Sequence, residues 1–201
     1  MQWVFVIHSD TMWPYYKLLP DLPRPPQKFF DEARLDYDQF PTETPLHEVR
    51  LRQSTRNGEN FLASKSVRIP LSDEFNEWIR NNIAQEFTDT GVNYRYCNSD
   101  TGGIHTDTTR EFALSYNVTT GGPNCRVVYW QENQQPLERD RGVQHLNFDT
   151  VRPVFELPSG PADVWFLHNT TMLHSVEGIS EPRIQFTVGF LRNQIESKWL
   201  T

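Results

Sequence analysis

Residues 160–191 read GPADVWFLHNTTMLHSVEGISEPRIQFTVGFL. Three short runs stand out in it, ADVWFL (162–167), MLHSV (172–176) and RIQFTVGFL (183–191), rich in β-branched and aromatic residues and parted by Gly, Pro, Asn and Ser. That is the pattern of strands joined by tight turns. In the third run Ile184, Phe186 and Val188 fall on one side of an extended chain and Arg183, Gln185 and Thr187 on the other, because successive strand side chains point to opposite faces. Working back along the chain, the same signature recurs in VNYRYC (92–97), EFALSYNV (111–118), CRVVYW (125–130), VQHLNF (143–148) and PVFEL (153–157), separated by SDTGG, TTGGPN, ENQQP and PSGP. Eight short strands in about a hundred residues predict a β-sandwich or barrel.

The N-terminal part reads differently. Phe75, Trp78, Ile79, Ile83 and Phe87 recur at three- and four-residue steps behind Ser72 and an acidic turn, which predicts a helix from Ser72 to about Thr88 with one face on the core. Half of the fourteen prolines lie in 14–45, and proline removes backbone donors, so this stretch is read as an irregular wrapping segment. Its PDLPRPP contains a P-x-x-P, but Tyr15, Tyr16, Phe29 and Phe30 favour packing over service as a peptide ligand. With no internal repeat and no low-complexity linker, residues 1–201 are expected to form one domain: a wrapping segment, irregular and helical, over 1–91 and a β core over 92–191.

Composition narrows the class. The chain has 201 residues and a formal charge of −7, the wrong sign for affinity built on phosphate neutralisation, so nucleic acid is an unfavoured partner. No apolar run approaches the roughly 20 residues of a membrane span, and the opening MQWVFVIHSD lacks the basic and long apolar regions of a secretory leader. A cytoplasmic protein is expected. Cys97 and Cys125 sit in no Cys-x-x-Cys spacing and are read as ordinary thiols.

Chemistry can come from the six histidines. His8 and His47 lie outside the β region and are read as structural or exposed. His105-Thr106-Asp107 follows Gly102-Gly103, and in an extended segment residues two apart share a face, so the imidazole and carboxylate can converge on one ion. His174 comes 67 residues after Asp107, a separation that only a returning sheet can close. Two His and one carboxylate are the donor set of non-haem Fe(II) sites. Arg183 follows nine residues later on the polar face of its strand, where a buried guanidinium needs an anion and suits a carboxylate through its planar fork.

His-x-Asp, then a distal His, then an Arg about nine residues on, resembles the Fe(II)/2-oxoglutarate-dependent oxygenases. Arg95-Tyr96 falls where prolyl-hydroxylase-like and AlkB-like members carry a tyrosine on the cosubstrate. Leu114-Ser115-Tyr116-Asn117-Val118 with Gly121-Gly122 is similar to the strand and turn after His-x-Asp in prolyl-hydroxylase-like members, and Gly160–Phe166 to the approach to the distal His in phytanoyl-hydroxylase-like ones. The match covers about 92–191; where some members have Arg-x-Ser, this chain has Arg183-Ile184-Gln185.

This resemblance implies a mainly β, double-stranded β-helix fold (jelly roll, cupin-like) with supporting N-terminal helices. It implies Fe(II) held by His105, Asp107 and His174, and 2-oxoglutarate with its distal carboxylate on Arg183 and Tyr96 helping to orient it. The partners would be molecular oxygen and a small-molecule or peptide substrate, hydroxylated with release of succinate and CO2. Asp107 speaks against halogenation, since halogenating members usually lack that carboxylate. Segments 14–45 and 131–142 are candidates for a lid.

Two rival readings stand beside this one. Glu111, four residues after Asp107, fits a metal-dependent cupin enzyme that does not use 2-oxoglutarate, and Trp130, Trp165 and Trp199 could furnish the surface of a non-catalytic jelly-roll binding module. A nucleic-acid demethylase would need a second arginine that only Arg192 offers. His145 and His168 are left out of the site, and Arg110 and Arg126, which could face the pocket and recognise an acidic substrate, are read first as surface ion pairs.

Overall fold

The computed structural model describes residues 16–43, 51–64, 67–95, 101–133, 144–145, 147–158 and 162–200. In chain order these form β1 (Tyr16–Leu19), α1 (Gln27–Glu43), β2 (Leu51–Arg56), β3 (Glu59–Ser64), β4 (Val67–Ile69), α2 (Asp73–Asn82), β5 (Asp89–Arg95), β6 (Ile104–His105) and β7 (Phe112–Thr120). Then follow β8 (Arg126–Glu132), β9 (Gln144–His145), a 3-10 turn (Phe148–Thr150), β10 (Val151–Pro158), β11 (Trp165–Asn169), β12 (His174–Glu177), β13 (Arg183–Phe190) and α3 (Ser197–Leu200).

The strands make a six-stranded sheet, ordered β1-β11-β7-β13-β5-β4, a five-stranded sheet, β10-β8-β12-β6-β9, and a hairpin, β2-β3. Every pairing of these strands is antiparallel. The two larger sheets face each other as a jelly roll, and their facing sides share a cluster: Tyr16 and Phe166 from the first, Val127, Tyr129, Leu157 and Val176 from the second. All eight expected strands are present, VQHLNF reduced to the two residues of β9 and the turn around Phe148.

Strand alternation sorts the layers. Leu114, Tyr116, Trp165, Leu167, Ile184, Phe186 and Val188 turn away from the second sheet and pack under the helices, on Phe29, Phe30, Ala33, Phe75 and Ile79. Phe75 stacks on Phe29 at 4.1 Å and meets Phe186 edge-on at 4.7 Å. Burying each such ring stabilises the fold by roughly 1.5–3 kcal/mol. On the far side the hairpin covers the second sheet: Arg56 reaches the buried Glu177 at 2.8 Å and lies 4.2 Å over Phe148, while the Asn57 and Gly58 N–H groups donate to Asp149.

Two expectations need correction. The stretch 14–45 is not irregular where it is described: β1 pairs with β11, and α1 follows. The reason is where the prolines fall. Pro20, Pro23, Pro25 and Pro26 are confined to the connection and to the residues just before the helix, where a missing N–H costs nothing, and no proline interrupts 27–40. Phe29, Phe30 and Ala33 bind this helix to the sheet's outer face, so it belongs to the body of the fold rather than to a lid.

Helix α2 starts as expected, with the Ser72 hydroxyl accepting the Phe75 N–H, but stops at Asn82 rather than near Thr88. The Ile79 carbonyl takes the N–H of both Ile83 and Ala84, closing the helix after the weak helix formers Asn81 and Asn82. Among the described residues no helix is long and apolar enough to cross a membrane.

Candidate metal centre

His105 on β6 and His174 on β12 are direct cross-strand partners, so their side chains project from the same face and their rings lie 4.5 Å apart. Asp107 follows two residues after His105. Its N–H donates to the Thr170 carbonyl at 3.0 Å, and Thr170 binds the same loop twice more, at the Arg110 and Glu111 carbonyls. Ligand atoms of His105, Asp107 and His174 all lie within 4.8 Å of one another, the one such grouping among the described residues.

The two histidines are wired alike. His105 Nδ1 faces the Gly103 carbonyl and His174 Nδ1 the Met172 carbonyl, each two residues back and each at 2.9 Å. A ring nitrogen against a carbonyl oxygen must carry the hydrogen, so the neutral form of each ring keeps its lone pair on Nε2. His105 Nε2 stands 3.7 Å from Asp107 Oδ1. Burial works against the Asp107 charge, but the Arg110 guanidinium and the two imidazoles outweigh it and hold the carboxyl well below the usual carboxylate range. Two imidazoles and an ionised carboxylate meeting in one place fit a divalent ion such as Fe(II) and leave part of its coordination sphere free.

Arg183 is buried on the inner face of β13, with Gln185 and Thr187. Burial lowers its guanidinium below the ordinary value. Its stem runs beside Gly121, where an added Cβ would sit 3.2 Å from the Arg183 Cβ and 2.9 Å from Cys125 Sγ; Gly121 also has φ +90°. The same inner face carries a polar lattice, with Gln185 Nε2 donating to Asn117 Oδ1 and Asn93 Nδ2 to Thr187 Oγ1. Tyr96, His8, His47 and Cys97 lie outside the described residues, as does most of 131–142, the other candidate for a lid.

Two residues left out of the site prove to border it. Arg110 is no surface ion pair: its side chain is 11% exposed and its Nε donates to Asp107 Oδ2 at 2.5 Å. His168 sits on β11 beside His174, the rings 5.7 Å apart and edge-on. It is two residues from Phe166, and that period of two is the signal for an inward position. Burial, then the charge of His174, pushes it well below the ordinary imidazole value, so it is neutral. Its Nδ1 has no partner among the described residues.

Other expectations resolve elsewhere. Glu111 Oε2 accepts the Arg192 N–H at 2.6 Å and does not join the ligands, which weakens the cupin reading. Arg126 pairs with Glu156 and Glu177. Trp130, Trp165 and Trp199 are buried rather than spread on a surface, with the first two indoles donating to Ser175 and to the Pro23 carbonyl.

No protein-family model and no curated protein matches the chain. Among solved structures it is similar to AviO1 from Streptomyces viridochromogenes Tue57, with 12% identity over 87% of this chain and 88% of that one and a TM-score of 0.49. It is also similar to an oxidoreductase of the 2OG-Fe(II) oxygenase family from Burkholderia pseudomallei (10% identity, 90% and 87% covered, TM-score 0.47). A third is a prolyl-4-hydroxylase from Pseudomonas putida (11% identity, 90% and 95% covered, TM-score 0.44). The likeness is loose, and the reading of the centre rests on its own side chains.

Proposed function

We propose that the protein is an Fe(II)- and 2-oxoglutarate-dependent oxygenase that hydroxylates a small molecule or a protein side chain. The observation that carries this is the convergence of His105, Asp107 and His174, whose ligand atoms lie within 4.8 Å of one another while both Nδ1 atoms and Asp107 Oδ2 are engaged elsewhere. Bound there, iron with 2-oxoglutarate supplies the oxidation: one oxygen atom enters a substrate C–H bond, the other enters succinate, and CO2 leaves.

The chain's own residues do the holding. His105, Asp107 and His174 would bind the ion on one side. Arg183, buried on the same inner surface, would pair with the far carboxylate of 2-oxoglutarate, which repays the cost of enclosing a guanidinium. Tyr96 is proposed as a further contact to that molecule on the strength of the sequence resemblance. The enclosed aromatics Tyr16, Phe166 and Tyr129 keep water from the inner wall. The deciding experiment is anaerobic addition of Fe(II) and 2-oxoglutarate to the purified chain, read by visible absorption. A charge-transfer band that vanishes in His174→Ala and weakens in Arg183→Ala is expected. Absence of a band in the unaltered chain, with iron bound no better than by a control protein, overturns the assignment.

A further inference from the structure

Asp107 has two carboxylate oxygens, and the fold gives each a different surrounding. We propose that Arg110 is a positioning residue of the metal centre, holding Asp107 Oδ2 so that Oδ1 alone is presented to the ion. This rests on the reading of His105, Asp107 and His174 as a divalent-metal site.

Arg110 donates through Nε to Oδ2 at 2.5 Å, while Oδ1 stands 3.7 Å from His105 Nε2. The arginine is itself gripped. Its Nη1 lies 3.5 Å from Asp89 Oδ1, and Asp89 is held by both Nη atoms of Arg68, at 3.1 and 3.0 Å, and by the Thr109 hydroxyl at 3.0 Å. Arg68, Asp89, Arg110 and Asp107 therefore form a line of alternating charge from β4 inward to the ligand. Room for it is made at Gly189 of β13: an added Cβ there would fall 2.0 Å from Asp89 Oδ1 and 2.7 Å from Arg110 Cδ. The backbone is fixed as well, since Thr170 binds the loop at Asp107, Arg110 and Glu111.

A carboxylate on a short stem rotates freely unless one oxygen is tethered. With Oδ2 tethered, Asp107 meets an ion through one atom at a fixed angle, which preserves coordination positions that a two-oxygen contact would occupy. A guanidinium serves here because Nε and Nη1 donate to two different carboxylates from one rigid plane, which a lysine cannot do. Partners that orient a ligand in this way typically carry about 10–100-fold in metal affinity.

The test uses Co(II) alone as probe, titrated into the full chain and followed by visible absorption, whose intensity reports coordination number, with the thermal midpoint of the metal-free protein measured alongside. Arg110→Ala is expected to bind cobalt about 10–100-fold more weakly with a changed band, Arg110→Lys to fall between it and the unaltered chain, and Asp89→Asn to lose a smaller factor. Cobalt affinity within about twofold of the original and an unchanged band in Arg110→Ala overturn the proposal. Should Arg110→Ala show no cooperative melting, Arg110→Lys and Asp89→Asn decide in the same way: weaker binding by both supports it, affinity unchanged in both overturns it. His174→Ala separates the two levels. If the original chain and His174→Ala bind cobalt equally poorly, the metal reading fails and takes this proposal with it.

Discussion

The two faces of the six-stranded sheet are built from the same strands, residue by residue in alternation, yet different forces hold them. Outward, Leu114, Tyr116, Trp165, Ile184, Phe186 and Val188 meet the helices as a close-packed hydrocarbon layer. Inward, Ser115, Asn117, His168, Arg183, Gln185 and Thr187 stand in the same strands, and hydrogen bonds join Gln185 to Asn117 and Thr187 to Asn93. The outer layer needs volume and shape, and its loss is felt as instability. The inner layer needs angles, and its loss should be felt as weaker binding in a chain that still folds.

Substitutions on the two faces can break that division. The largest effect is expected for Phe186→Ala, which opens a void against Phe75 and Phe30 and should lower unfolding free energy by about 3–5 kcal/mol while metal affinity per folded molecule is unchanged. Chemical denaturation with and without Co(II) reads both quantities; a parallel fall in metal affinity sinks the division. Next comes His174→Ala, expected to weaken metal binding by more than about a hundredfold, since a ligand should matter more than a residue that orients one. Its melting temperature without metal should move little.

Arg183→Ala should raise the KM for 2-oxoglutarate by roughly 10–150-fold, the equivalent of about 1.5–3 kcal/mol for a hydrogen bond to a charged group. An unchanged KM removes Arg183 from the cosubstrate's site. On the helical side, Ser72→Ala removes the cap of α2 and should cost about 1 kcal/mol, visible as a small shift in the denaturation midpoint with no change in KM.

The smallest effect concerns acid. Burial works against the Asp89 charge, yet Arg110, Arg68 and Thr109 together bring its carboxyl below the ordinary value. A carboxyl lowered on folding stabilises the folded chain above its unfolded pKa of about 4 and loses that contribution as pH falls through the folded value. Asp89→Asn should therefore flatten the decline of the metal-free melting temperature between about pH 5 and pH 3. An equally steep decline in the variant shows that Asp89 does not contribute to it.

Much of this was legible in residues 92–191, because a sheet apolar on one face and polar on the other writes its period of two directly into RIQFTVGFL and VWFLHN. The candidate ligands were legible for the same reason: His-x-Asp and His174 needed only an extended chain to bring them onto one face. Other parts left weaker traces. The β2-β3 hairpin is mostly polar along Arg52-Gln53-Ser54-Thr55, so alternation is hidden, though Asn57-Gly58, with φ of 54° and 75°, is a strong hairpin signal by itself. Helix α1 was masked by the prolines that precede it, whose density says nothing about the proline-free stretch 27–40. Arg110 could not be placed from sequence because its role depends on Asp89, twenty-one residues away and in contact only through the sheet.

The order of the six-stranded sheet bears on how the molecule comes into being. Only β4 and β5 are neighbours both in the chain and in the sheet; β7 lies between β11 and β13, and β1 pairs with a strand about 150 residues downstream. A chain emerging from the ribosome thus holds Phe112–Thr120 without either partner until β11 and β13 have been made, and pairings of such separation form slowly. His105 likewise waits for His174. Nascent protein should consequently take up no metal and resist no protease until synthesis has passed β12, so loading is coupled to the making of that strand.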